Sequence, residues 1–156
     1  MLRIKEIVFG IITAGVVFTG CKDDDDVSSA KAVMKFTVTV QGADSKDQVD
    51  FGVGAGNHDA SQYGSPIWKI NGTTQNNDDD VFLDIDHFTG TTKTYVLETV
   101  KPFNFCHFNV TVSNFDGAPI SVSYKAEVNG NVETNVENTM VAADQTYGKT
   151  YTYTAK

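Results

Sequence analysis

From Val33 to the end of the chain, apolar residues recur at every second position in run after run, with no convincing helical period. Strict alternation marks a strand with one dry and one wet face, because successive side chains of a pleated strand point to opposite sides. Met34, Phe36, Val38 and Val40 share one face, while Lys35, Thr37 and Thr39 share the other. Val49, Phe51 and Val53 repeat the pattern, and Trp68 and Ile70 form a short strand. Val81, Leu83, Ile85 and His87 alternate with Phe82, Asp84 and Asp86, which places Asp84 and Asp86 toward solvent on a strand. Tyr95–Val100 is apolar on both faces, as a central strand is. Ile120, Val122, Tyr124, Ala126 and Val128 make the cleanest run, and Asn129-Gly130 after it is a type I′ hairpin signal.

Two interruptions carry predictions of their own. Phe103 and Phe105 lie on one face, but Cys106, Phe108, Val110 and Val112 continue on the other. That slip predicts a bulge at Phe105-Cys106, just after a break in pairing at Pro102. About nine short strands, punctuated by Asn71-Gly72, Thr89-Gly90 and Asp116-Gly117, predict an all-β fold, an antiparallel β-sandwich. An immunoglobulin-like Greek key is the first choice on strand count, although the Cys…Trp…Cys spacing of antibody domains is absent. The apolar fraction of 40% is enough to fill one core in a chain of 156 residues.

The region before Val33 obeys a different logic. A basic start holding Arg3 and Lys5 leads into Ile7–Phe18, twelve apolar residues. A membrane-spanning helix needs about 20, so this run fits the core of a signal peptide. Phe18-Thr19-Gly20-Cys21 follows, and then Lys22, Asp23, Asp24, Asp25 and Asp26. Thr19-Gly20-Cys21 resembles the lipobox of bacterial lipoproteins, departing from it at Phe18, where an aliphatic residue is usual. The resemblance implies a signal peptide over 1–20 and lipidation of Cys21 as the mature N-terminus. Lys22 and the four aspartates after it resemble the surface-export signal of lipoproteins from Bacteroidota. That implies an outer-membrane, lipid-anchored protein displayed at the cell surface; the plainer reading of the same run is a solvated acidic tether. Residues 21–32 are then lipidated cysteine and spacer, and 33–156 the sandwich domain.

Charge narrows the partners. The formal charge is −8, and the first 20 residues carry +1, so the remainder carries −9 with no arginine after Arg3. Phosphate backbones are held by clustered Lys and Arg, so nucleic acid is excluded as a partner. With Cys21 acylated, Cys106 has no cysteine to pair with and reads as a small buried hydrophobe.

Three stretches could carry chemistry. The acidic segment Asn76–His87 offers Asn76, Asp78, Asp79 and Asp80 as oxygen ligands for Ca²⁺, against the simpler reading of a solvated turn with a charged edge. It is not an EF-hand loop, because Val81 stands where that motif requires glycine. The glycine-rich stretch Phe51–Gly64 reads as a long, mobile loop, in which His58, Asp59 and Tyr63, with nearby Trp68, are candidate ligand contacts. Tyr147, Tyr151 and Tyr153 share a face and, with Trp68, are either core or a stacking platform for sugars. Catalysis has no motif behind it: Cys106 and His107 are adjacent and point to opposite faces of a strand, and histidine or cysteine at zinc spacing is missing. The functional expectation is a non-catalytic binding module for an extracellular glycan or protein, attached to the membrane through its lipid. The alternative is a structural subunit of a fimbria-like surface assembly.

Overall fold

The computed structural model describes residues 30–155. Ten strands follow one another: β1 (Met34–Gln41), β2 (Gln48–Gly56), β3 (Trp68–Ile70), β4 (Thr73–Thr74), β5 (Asp80–Leu83), β6 (Lys93–Thr99), β7 (Phe105–Asn114), β8 (Ile120–Val128), β9 (Asn131–Val141) and β10 (Gln145–Thr154). A single helical turn, α1 (Ile85–Phe88), separates β5 from β6. Every pairing is antiparallel. One sheet has six strands in the order β4-β3-β6-β1-β8-β9, and the other has four in the order β10-β7-β2-β5. This is the β-sandwich that the alternation predicts. Among the described strands, only β3–β4 and β8–β9 are hairpins; every other consecutive pair crosses from one sheet to the other. Asn129 and Gly130 both take positive φ, 50° and 79°, which a two-residue I′ turn demands and asparagine and glycine tolerate.

The core lies between the sheets, filled by the alternating residues named above. Phe36 of the larger sheet stacks on Phe108 of the smaller at 4.8 Å between centroids, and Phe108 also meets Phe51, Tyr124 and Tyr151. Tyr153 is buried, while Tyr147 and Tyr151 are half-buried against the core. The Tyr124 hydroxyl bonds those of both Tyr147 and Tyr151 at 2.7 Å. Burial and these two bonds push the Tyr124 phenol well above its ordinary pKa. The tyrosine face is therefore core, and the sugar-platform reading of it is set aside.

Five local expectations are corrected. The glycines of Phe51–Gly64 do not open a loop: Gly52, Gly54 and Gly56 lie within β2, held by pairing to β5 and β7, and the loop starts only at Asn57. Nor is that loop loose. Asn57 N–H donates to Gln62 Oε1 (3.1 Å), Asn57 Nδ2 to Ser61 Oγ (2.8 Å), and His58 N–H to Asn104 Oδ1 (3.2 Å). The alternation through Ile85 and His87 is not a strand; Asp84 precedes a helical turn instead, and burying Phe88 closes the α1 corner. The bulge at Phe105-Cys106 does not occur, because β7 pairs in unbroken register with β2 and β10. The slip is absorbed at Asn104, between an isolated bridge, Ala32 to Phe103, and the start of β7. The register shifts fall instead in β8–β9, at Val122/Tyr124 and Ala126/Glu127. Ala32, assigned by sequence to the tether, is buried in the core.

Candidate functional site

The outward face of the four-stranded sheet collects residues that the sequence scatters. Because side chains alternate, β2 turns Val49, Phe51, Val53 and Ala55 inward and Gly52, Gly54 and Gly56 outward. Its two neighbours set side chains beside each glycine. In register, Gly52 stands opposite Phe82, Gly54 between Asp80 and His107, and Gly56 opposite Phe105. The bare backbone forms a lane into which these side chains lean.

Close approach is what requires glycine here. A β-carbon at Gly54 would overlap Asp80 Oδ1 and His107 Cε1. At Gly52 it would lie 2.8 Å from Phe82 Cε1, and at Gly56 2.7 Å from Phe105 Cζ, both closer than real β-carbons approach another heavy atom. With the lane open, His107 Nε2 and Asp80 Oδ1 meet at 3.2 Å across β2, and their side chains remain 40% and 49% exposed. Phe82 is 67% exposed. His58, the first loop residue to leave the face, sets its ring 5.5 Å from that of Phe105.

The lane is positioned from the interior. Trp68 Nε1–H donates to the Asp79 carbonyl oxygen at 3.0 Å, and Ala55 N–H donates to the same oxygen at 3.4 Å. These bonds tie the acidic turn to both sheets and bring Asp80 into β5 opposite Gly54. At the other end, buried Asn104 accepts from His58 N–H and donates its Nδ2–H to Ala30 O at 2.7 Å. Its N–H lies 3.2 Å from both Asn57 Oδ1 and Gly56 O, and its carbonyl accepts from Ala155 N–H. One side chain thus joins the incoming chain to the loop that carries His58.

The sequence candidates divide accordingly. His58 and Asp80 reach the lane. Trp68 does not reach the lane: it is fully buried and its indole N–H holds the Asp79 carbonyl, which corrects its placement among the candidate contacts. Asp59 is exposed and occupied locally by Ser61, whose hydroxyl and N–H hold its carboxyl below the usual range. Tyr63 is exposed at the loop tip. Asn76 and Asp78 are exposed in the turn before β5, and Asp80 turns to His107 rather than toward them. Among the described residues, no group of three or more His, Cys, Asp or Glu is placed to hold a metal ion, so the acidic turn does not by its carboxylates form a cage. Cys106 faces the core and His107 faces out, as the alternation requires; burial pushes the Cys106 thiol far above its ordinary pKa, so it stays protonated and unreactive. Cys21 and Lys22–Asp26 lie outside the described residues. Sequence reading missed Phe82, Phe105 and His107 as a group. The signal was three glycines at spacing two beside aromatic strands, which marks a close approach within a sheet.

No family model matches the chain, and no curated protein does. Solved structures do resemble it. A DUF4425 family protein from Bacteroides ovatus superposes with a TM-score of 0.54 at 14% identity, covering 79% of this chain and 94% of that one. A domain of unknown function, DUF4425, from Bacteroides vulgatus gives 0.57 at 13% identity, covering 81% and 97%. The calcium-bound form of a protein from Parabacteroides distasonis gives 0.53 at 15% identity, covering 83% and 98%. At such identities the likeness establishes the fold: this chain is a two-sheet β-sandwich of the kind seen in the DUF4425 structures.

Proposed function

We propose that the protein is a lipid-anchored, non-catalytic binding module of the outer-membrane surface, and that it presents the glycine lane of its four-stranded sheet to an extracellular glycan or protein. The observation that carries this reading is the lane itself. A glycine inside a strand costs roughly 0.5–1 kcal/mol relative to alanine, and β2 spends three of them in one outward row, each covered by a neighbour's polar or aromatic group. Solubility alone would be served by threonine, which fills the outward positions of β10 at Thr150, Thr152 and Thr154.

The anchoring part rests on the resemblance of Thr19-Gly20-Cys21 to a lipobox and of Lys22–Asp26 to an export signal. Eight residues lie between Cys21 and Ala30, nine Cα-to-Cα steps with a reach of at most about 32 Å, which would hold a lipid-anchored domain close to the membrane. The lane begins at that end, because Asn104 ties Ala30 to the His58 loop. Assembly into a fibre finds less support. The long edge strand β9 carries Glu133 and Glu137 and two register shifts, devices that discourage edge-to-edge pairing.

The calcium-bound Parabacteroides neighbour is the one observation that favours a cation. No step is assigned to calcium, since the carboxylates of the acidic turn do not converge. The test is thermal unfolding of the detergent-solubilised full chain with calcium, with EDTA, and with glycan and peptide panels, because a ligand of the native state raises apparent stability. A ligand that stabilises the wild type and not Phe82→Ala supports the lane. A ligand that stabilises both equally places binding elsewhere, and stabilisation by calcium reversed by EDTA supports the cation reading.

A further inference from the structure

We infer that the lane takes a neutral oligosaccharide, with sugar rings stacked on Phe82 and Phe105 and sugar hydroxyls bonded to Asp80 and His107 between them. This rests on the binding-module reading and names its ligand class.

The geometry of the two rings is the first argument. Each reclines on a glycine of the adjacent strand, close enough that a β-carbon would collide with its edge. Phe82 is 67% exposed beside Gly52, and Phe105 is half-buried beside Gly56 with the His58 ring 5.5 Å away. Exposed phenyl surface matches the apolar C–H faces of pyranose rings, whose hydrogens meet the negative face of a π-system. Second, the rings are separated by the four residues from Gly52 to Gly56, about 13 Å along a strand. That is the span of a short oligosaccharide, longer than a monosaccharide. Third, the Asp80–His107 pair crosses the lane at Gly54, midway between the rings, with both side chains about half exposed. A carboxylate and an imidazole give acceptor and donor capacity at one point, as a few placed polar groups do in sugar and small-ligand sites.

Charge decides which sugar. The outward positions of the sheet hold Asp50, Asp80, Asn109 and threonines, with no lysine or arginine. A uronate, sulfate or phosphate group would meet carboxylates there and find no fixed cation. A peptide is disfavoured on other grounds: strand addition needs a long free edge, and β5 at this border has four residues.

The experiment uses the isotope-labelled full chain in detergent micelles, titrated with cellohexaose, xylohexaose, mannohexaose and maltohexaose, with a hexagalacturonate, and with an alternating Val-Thr peptide. A neutral hexasaccharide is expected to shift the ring signals of Phe82, Phe105 and His107, and the galacturonate to leave them unmoved. Phe82→Ala and Phe105→Ala should each weaken binding about tenfold. Phe82→Ala should leave the unfolding temperature nearly unchanged, so its loss of binding cannot be a loss of fold. Neutral sugars that leave all three rings unmoved overturn the assignment. Peptide or galacturonate shifting those rings instead also overturns it, while keeping the lane as a binding face. A sugar that shifts only signals on the opposite sheet overturns both the assignment and the lane.

Discussion

Gly54→Ala separates a glycine kept for the fold from one kept for the surface. The added methyl would overlap Asp80 Oδ1 and His107 Cε1, both side-chain atoms on an open face, so the pair must part while the backbone stays in place. Two small energies then oppose each other. Replacing a strand glycine with alanine gains roughly 0.5–1 kcal/mol through reduced freedom of the unfolded chain. Losing a polar contact whose partners are 40% and 49% exposed costs about 0.2–1 kcal/mol once solvent screening is counted. The net change should lie within about 1 kcal/mol of zero, a shift in Tm of no more than about 4 °C for a domain of this size.

Thermal unfolding followed by circular dichroism gives the stability. Carbon-detected NMR of the Asp80 carboxyl and the His107 ring shows whether the pair has opened, with Val53 and Phe108 as core references. The expected result is an opened pair, an undisturbed core and near-wild-type stability. Destabilisation beyond about 2 kcal/mol would mean that the methyl strains backbone or core, and the lane would be a packing feature. A persisting Asp80–His107 contact would refute the close-approach argument at its root.

Asn104→Ala should cost about 1–3 kcal/mol in urea unfolding, because Ala30 O and His58 N–H lose their partner in a crowded corner; a loss below about 0.5 kcal/mol would show that water replaces the side chain at no penalty. Stability should fall as pH rises above about 9, since the unfolded Cys106 thiol titrates near 9.0, the ordinary thiol value, while burial keeps the folded one protonated. The slope from one such group is at most about 1.4 kcal/mol per pH unit; Cys106→Ala should remove it, and an unchanged alkaline slope would refute the assignment. Asp84 works in the opposite direction: its hydrogen bond to His87 lowers the folded carboxyl, so its contribution is present above the ordinary carboxylate pKa and lost as pH falls through the lowered value, and Asp84→Asn should flatten that acid limb. Cys21→Ala should release the protein from membranes in a cell fractionation, and a variant that stays bound would end the lipoprotein reading.

How far the sequence speaks depends on whether period alone decides the outcome. Where a strand has one dry face, as in Met34–Val40 or Ile120–Val128, alternation names both the element and the buried residues, and the structure agrees position by position. Ile85 and His87 alternate as well, yet four residues cannot distinguish a strand from a helical turn. There the corner that buries Phe88 decides, which is tertiary information. The slip before Cys106 was legible as a fault but not as a place. Whether a chain bulges inside a ladder or shifts before entering it depends on Asn104 finding Ala30, 74 positions away.

Gly52, Gly54 and Gly56 are the most instructive case. Read alone they lower strand propensity and suggest a loop. Glycine at every second position, between inward-facing Phe51, Val53 and Ala55, fits a strand whose outer row has been emptied. The reason for the emptiness sits on the two neighbouring strands, at Asp80, Phe82, Phe105 and His107, and no local pattern names which strands those will be. Pairing of β2 with β5 and β7 supplies that information. It also shows why Trp68 looked like a ligand contact: an indole beside an acidic turn is needed for the site, but from behind, where its N–H holds the Asp79 carbonyl and leaves the surface to phenylalanine and histidine. A large aromatic in a strand is more economically read as the support of a surface than as the surface itself, unless the residue facing it across the ladder is glycine.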